Sequence, residues 1–357
     1  MSPEALSRRN AALRLAFAIT VGLLVETARG AALPTLGPII ALQLLAGLPR
    51  PPGAKVMAML TISITVASAL AYAVAALTVD DPLLYLIGVG LLYLWGFTLA
   101  FTPRLAPVGA MVITMTVVIT GIATASTGLA FGVMISLVQS VVIGLFIVLL
   151  AHAVLPSPVV AAKAAGGGDM TDARIAHLAP TLRAVVATLV ILPAHVYLFS
   201  LGTGSMLVLM TTATMLRQPG LSASARYSIS FAAGNLVGAA VAAAAMLLVA
   251  TQQSGAVMIT VTLACSLVLA WLSALGPLWR GMMVPGMVAF VVLYGLVYSP
   301  YVDATDVSVT QRALMVVAGA LYALGAVSVL SPLVARYLRR RLPADRDGGA
   351  AGSPAGP

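Results

Sequence analysis

The sequence predicts an all-α integral membrane protein with about twelve transmembrane helices. They form two parallel six-helix repeats, with both termini cytoplasmic. Three observations carry this prediction. Of the 357 residues, 61% are hydrophobic and only 8% are charged, where a water-soluble domain carries about 25% charged residues. Apolar runs recur along the whole chain, among them VMAMLTISITVASALAYAVAAL and FGVMISLVQSVVIGLFIVLLAHAVL, and about 20 such residues cross a bilayer as a helix. Finally, a set of landmark residues occurs twice, about 170 residues apart.

Breaks at proline, glycine and charged clusters define the elements in order. The first repeat, 1–155, holds apolar segments 12–30, 31–48, 56–78, 83–101, 106–124 and 129–155. A cytoplasmic linker, 156–179, contains the flexible stretch AAKAAGGGD. The second repeat, 180–336, holds segments 180–199, 203–216, 227–250, 255–275, 281–298 and 310–335, and 337–357 is a disordered basic tail. Each segment is expected to be helical, because lipid offers no hydrogen-bond partner to an exposed backbone. Segments 31–48 and 203–216 are short for a crossing at 1.5 Å per residue. They are expected to tilt, break or reach only partway.

Charge sets the orientation. With the N-terminus inside and twelve crossings, 17 of the 19 Lys and Arg lie on the inner side and only Arg29 and Arg312 lie outside. That asymmetry is the positive-inside pattern, and a miscounted crossing would have put every later loop on the wrong side. The net charge of +9 is spread singly between apolar runs, apart from RYLRRR after the last. It therefore orients helices and builds no nucleic-acid-binding face. Arg8 and Arg9 ahead of LAFAITVGLLV imitate a secretory leader. The duplication of this segment inside the chain argues that it belongs to the fold.

The duplication aligns Arg14 with Arg183 at 169 residues, Pro49 with Pro219 at 170 and Lys55 with Arg226 at 171. Trp95 meets Trp271, Arg104 meets Arg280 and Pro156 meets Pro332, all at 176. Six crossings per copy return the chain to its starting side, so the copies have the same orientation. Pro49 with Lys55, and Pro219 with Arg226, form structural hinges after the second helix of each copy. Proline ends the helix there, and the basic residue holds the turn in the cytoplasm.

A Leu-Arg opening the first helix, then a short second helix ending in a Gln/Arg-Pro element with a basic residue beyond it, resembles the fusaric acid resistance and aromatic acid exporter superfamily. Here those elements are Leu13, Arg14, Gln43, Pro49, Arg50 and Lys55, and again Leu182, Arg183, Arg217, Gln218, Pro219 and Arg226. The resemblance runs over essentially the whole chain. It implies a bacterial inner-membrane exporter of small aromatic or hydrophobic organic acids or toxic compounds, working with a periplasmic membrane-fusion adaptor and an outer-membrane channel. Plant anion channels of the malate type have a similar six-helix unit, which by analogy suggests an anion pathway between two units. The large cytosolic domains of bigger members have no counterpart in this sequence, so regulation through them is not implied.

Glu26 is the most informative intramembrane residue. It lies 12 residues beyond Arg14, about 18 Å deep at helical rise. The repeat carries it onto His195. Ionisable groups at such depth face a cavity or a partner, and a carboxylate with a histidine suits proton-coupled export. In the plainer reading, Glu26 pairs with Arg29 at i,i+3 near the outer surface and His195 is a polar residue beside the kink at Pro193. Arg14 and Arg183 either draw an anionic substrate to the inner mouth or snorkel as anchors. Gln43, from the family-like second helix, joins these four as a pathway candidate. Arg104 and Arg280 read as turn anchors, and His152 as an interfacial histidine without a symmetric partner.

Other chemistries find no support. The three histidines and sparse acids show no metal-ligand spacing, Cys265 is the lone cysteine, and the glycine-rich linker lacks the Gly-Lys-Ser/Thr ending of a phosphate loop. No cofactor and no enzymatic activity are expected. An ion gradient is the expected energy source of an exporter built this way. A passive anion channel and a non-transporting subunit of an efflux assembly are the alternatives.

Overall fold

The computed structural model describes residues 3–47, 50–102, 105–156, 180–199, 206–217, 222–250, 254–295 and positions 318, 319, 321, 322, 325, 326 and 329. Among these residues the only regular secondary structure is helix. The helices are α1 (Pro3–Ala28), α2 (Leu36–Gly47), α3 (Ala54–Thr78), α4 (Pro82–Ala100), α5 (Ala106–Ala125) and α6 (Thr127–Val154). They continue as α7 (Pro180–Phe199), α8 (Met206–Leu216), α9 (Ser222–Ala250), α10 (Gly255–Ala274) and α11 (Pro277–Gly295). Eight of them are long and apolar enough to cross a membrane: α1, α3, α4, α5, α6, α9, α10 and α11. The chain is a multi-pass membrane protein. Pro49, Arg104, Gln218, Pro219, the linker from 157, most of 310–335 and the tail 337–357 lie outside the described residues, as does the side chain of Arg226.

Local sequence accounts for the ends. Asp81 caps α4, accepting hydrogen bonds from the Leu83 and Leu84 amides, and Pro82 follows at the first helical position. Ser126 caps α6 by accepting from the Leu129 amide. Gly30, at φ 64°, closes α1 in the left-handed region that favours glycine. Its amide reaches the Thr27 carbonyl, and the Ala31 amide reaches that of Glu26. α1 begins nine residues before the apolar segment 12–30 does. Nothing in SRRN breaks a helix, so apolarity marks where the membrane starts and not where the helix starts. α2 and α8, with 12 and 11 residues, are about 18 and 16 Å long at helical rise. Both fall short of a roughly 30 Å hydrocarbon core.

In lipid, helices associate through close packing and polar contacts, since the tails are as apolar as leucine. Small residues mark the tightest crossings here. A Cβ on Gly234 or Gly238 of α9 would run into the Met282 or Gly286 carbonyl of α11. GNLVG is therefore a crossing point. GLAFG, Gly128–Gly132 of α6, has the same small-xxx-small spacing without a close crossing: a Cβ on Gly132 would meet nothing within 4 Å, and one on Gly128 only its own helix cap. Gly144 of α6 lies against the Gly37 carbonyl of α2, and Gly319 lies against the Val208 carbonyl of α8, each 2.7 Å from where a Cβ would stand.

The first six helices and the remainder interlock reciprocally. α1 packs on α10 while α4 packs on α7; α2 meets α11 while α5 meets α8. Among the eight described spans α5 is the most buried, at 72% against 22% for α10. It also carries a π-helical stretch, Thr116–Thr120, a form frequent at functional sites.

Candidate solute cavity between the two halves

A cavity of about 450 Å³ lies where α2, α5, α8 and α11 converge. Each contributes one helical face. On α2 the lining residues are Leu36, Ile39, Ile40 and Gln43, and on α8 they include Met210, Ala213, Thr214 and Arg217. Both sets follow the i, i+3, i+4, i+7 spacing that aligns side chains on one helix face. α5 lines it with residues between Ala106 and Val117, so the cavity extends about 16 Å along that helix from its N-terminal end. Pro285, inside α11, also lines it.

The walls are mostly apolar, with a small polar set: Gln43, Thr114, Thr211, Thr214, Asn235 and the two arginines, Arg217 and Arg280. Among the described lining residues there is no carboxylate. Arg217 donates to the Thr214 hydroxyl at 3.2 Å. Arg280, on α11, donates to the Ala46 carbonyl at 2.6 Å. It thereby satisfies a terminal carbonyl of α2 across the junction between the halves. Two cations in an apolar, partly enclosed space create a positive potential that attracts small anions.

Of the five pathway candidates, Gln43 lines this cavity; Glu26, His195, Arg14 and Arg183 are not among its lining residues. Glu26 is fully buried in the last turn of α1. Its Oε2 accepts from Arg29 Nε at 2.8 Å and from Ser140 Oγ at 3.1 Å. Arg29 continues to Gln139, Ser140 and the Ser136 carbonyl, tying α1 to α6. The other carboxylate oxygen, Oε1, is buried without a hydrogen bond and lies against Gly37, on the α2 helix whose other face lines the cavity.

His195 is buried on α7 with Tyr93 Oη at 2.8 Å from Nδ1 and Tyr85 Oη at 3.1 Å from Nε2. The Tyr85 hydroxyl also lies 3.1 Å from the Thr120 carbonyl, which ends the π-helical stretch. Val117, in the same stretch, lines the cavity. Glu26 and His195 thus stand in separate networks, each against a helix that forms the cavity wall.

The matched arginines also part company. Arg14 is buried and its Nη1 lies 2.6 Å from His152 Nδ1 on α6. Arg183 lies over the Phe101 ring, 4.2 Å from its centroid, a cation–π contact. Lys55 is exposed at the start of α3. Among the described residues no group of three metal-binding side chains converges.

Sequence reasoning missed Asn235 and undervalued Arg280, which reads as a turn anchor until α11 is seen to bring it to the cavity. Asn235 had a signal of its own, a lone amide in the apolar run FAAGNLVGAA. Tyr85 and Tyr93, about two turns apart on α4, were legible only as aromatic residues.

Residues 11–151 match the family model described as a protein of unknown function, DUF2955. No curated protein and no solved structure matches the chain.

Proposed function

We propose that this protein is an exporter of small hydrophobic or aromatic organic anions, built from two parallel six-helix repeats and using the cavity between them as the solute site. The single observation that carries the reading is the cavity's composition: two arginines, Gln43 and Asn235 set in apolar walls, with no carboxylate among the described lining residues. About 450 Å³ falls within the usual range of small-molecule sites. An aromatic acid presents complementary chemistry, a ring for the apolar faces and a carboxylate for the arginines.

Reciprocal packing supports the repeat. The pairs α1–α10 and α4–α7 exchange roles between halves, as do α2–α11 and α5–α8. Gly144 against α2 likewise has its analogue in Gly319 against α8. The stretch that matches the family model begins in α1 and ends in α6, which is the extent of one repeat. In this reading twelve helices cross, both ends are cytoplasmic and the membrane is the bacterial inner membrane. The sequence resemblance supports the exporter class and an adaptor partner. Energy comes from an ion gradient, and the protein is not an enzyme.

Glu26 and His195 act on the pathway at one remove, through α2 and through the π-helical stretch of α5. Flux measured in proteoliposomes tests the proposal, with benzoate as probe and benzamide as its uncharged counterpart. The expected result is benzoate flux that responds to an imposed proton gradient, falls at least about tenfold in Arg217→Gln and Arg280→Gln, and ignores benzamide. Flux of the same size without any gradient dependence would favour a passive channel. Absence of flux for a panel of aromatic acids would favour the accessory subunit.

A further inference from the structure

A second recess, of about 460 Å³, lies between α1 and α10, away from the solute cavity. Arg8 and Arg9 line it together with Leu13, Leu267, Trp271 and Leu275. Both arginines are exposed. Trp271 and Leu275 are 62% and 49% exposed, and on a membrane-crossing helix such residues face lipid.

The arrangement is graded along the helices. From Arg8 to Leu13 α1 runs about 7 Å, and from Leu275 to Leu267 α10 runs about 12 Å, at helical rise. Charge therefore sits at one end of an apolar slot, with an indole, a residue favoured at headgroup level, on its wall. No carboxylate is among the described lining residues, and the ion pair found among the described residues joins Glu26 and Arg29 elsewhere. Basic recesses between membrane helices on the cytoplasmic side suit phosphate-bearing headgroups.

We infer that this recess seats one anionic phospholipid, its phosphate held by Arg8 and Arg9 and its upper acyl chain laid along Leu267, Trp271 and Leu275. The inference does not depend on what passes through the cavity. It does assign the lipid a structural place, because α1 and α10 belong to different halves and the lipid touches both.

Trp271 reports on its own occupant. The full chain carrying Trp95→Phe and Trp279→Phe keeps Trp271 as its only indole. In detergent micelles, phosphatidylglycerol with brominated acyl chains should quench Trp271 at a concentration at least about tenfold below that needed for brominated phosphatidylcholine. Arg8→Gln with Arg9→Gln, both at exposed positions, should weaken the phosphatidylglycerol effect about 30-fold and abolish the preference. Glycerol 3-phosphate, the headgroup without chains, should not relieve the quenching. Equal quenching by the two lipids, or a preference that survives the double substitution, would overturn the inference. Relief by glycerol 3-phosphate at matched concentration would instead assign the arginines to a free phosphate and would equally overturn the lipid seat.

Discussion

α1 and α7 carry polar residues at matched positions and place them differently. Arg14 and Glu26 of α1 reach His152 and Ser140, both on α6 and so within the first half. Arg183 and His195 of α7 reach Phe101 and the pair Tyr85 and Tyr93, at the end of α4 and along it, across the junction between the halves. Chemistry divides along the same line. The buried carboxylate of α1 is neutralised by an ion pair, while the buried imidazole of α7 is held by phenol hydroxyls. One set of contacts therefore binds a half to itself, and the other binds the two halves together. A handful of polar residues thus gives α1 and α7 two different jobs.

The largest effect should come from breaking the ion pair on one side. Arg29→Ala leaves the Glu26 carboxylate buried with Ser140 as a remaining donor, at a cost of about 3–5 kcal/mol. Thermal unfolding in detergent should drop accordingly, and Glu26→Leu added to Arg29→Ala should recover most of the loss. If the double variant is no more stable than Arg29→Ala, the pair is not what holds α1 to α6.

An intermediate effect is expected at the other network. His195→Phe leaves two tyrosine hydroxyls without their ring-nitrogen partners, costing about 1–3 kcal/mol. His195→Phe combined with Tyr93→Phe should show a coupling of at least about 0.5 kcal/mol in a double-mutant cycle. Additive losses would mean that the contact contributes nothing of its own. The smallest effect belongs to Phe101→Leu, about 0.5–1 kcal/mol from the loss of one cation–π contact. Crosslinking between α4 and α7 separates the two sets of contacts. It should weaken in His195→Phe and persist in Arg29→Ala, and the reverse pattern would invert the comparison.

Much of the architecture was legible because membrane helices advertise themselves. Segments 83–101 and 255–275 meet α4 and α10 to within a residue or two, since VDDP and QSG supply caps that a water-facing turn needs. The brevity of α2 and α8 was equally readable from the spacing of breaks. Contacts between the halves were not. No periodicity tells that α1 meets α10, or that Arg280 reaches the Ala46 carbonyl 234 residues away, because these depend on how helix surfaces far apart in the chain dock. The pairing of Glu26 with Arg29 was readable from their i,i+3 spacing. Direction around the helix was not readable, and it separates a cavity-lining residue from one behind the wall. In a chain where apolar side chains face lipid and core alike, hydrophobicity carries little information about which way a helix turns.

The central claim is that small anions enter the space between α2, α5, α8 and α11. The most direct test labels cysteines placed in that space. Cys265 is the one native thiol, so Cys265→Ser gives a clean background for Gln43→Cys, Thr211→Cys and Ser68→Cys, the last at a fully buried position of α3 that is not among the cavity's lining residues. A membrane-impermeant anionic methanethiosulfonate applied from the side bearing Arg50 and Lys55 should modify the first two and spare the third, and benzoate should slow both reactions. Unreactive cysteines at positions 43 and 211, or labelling that benzoate leaves unchanged, would contradict the account.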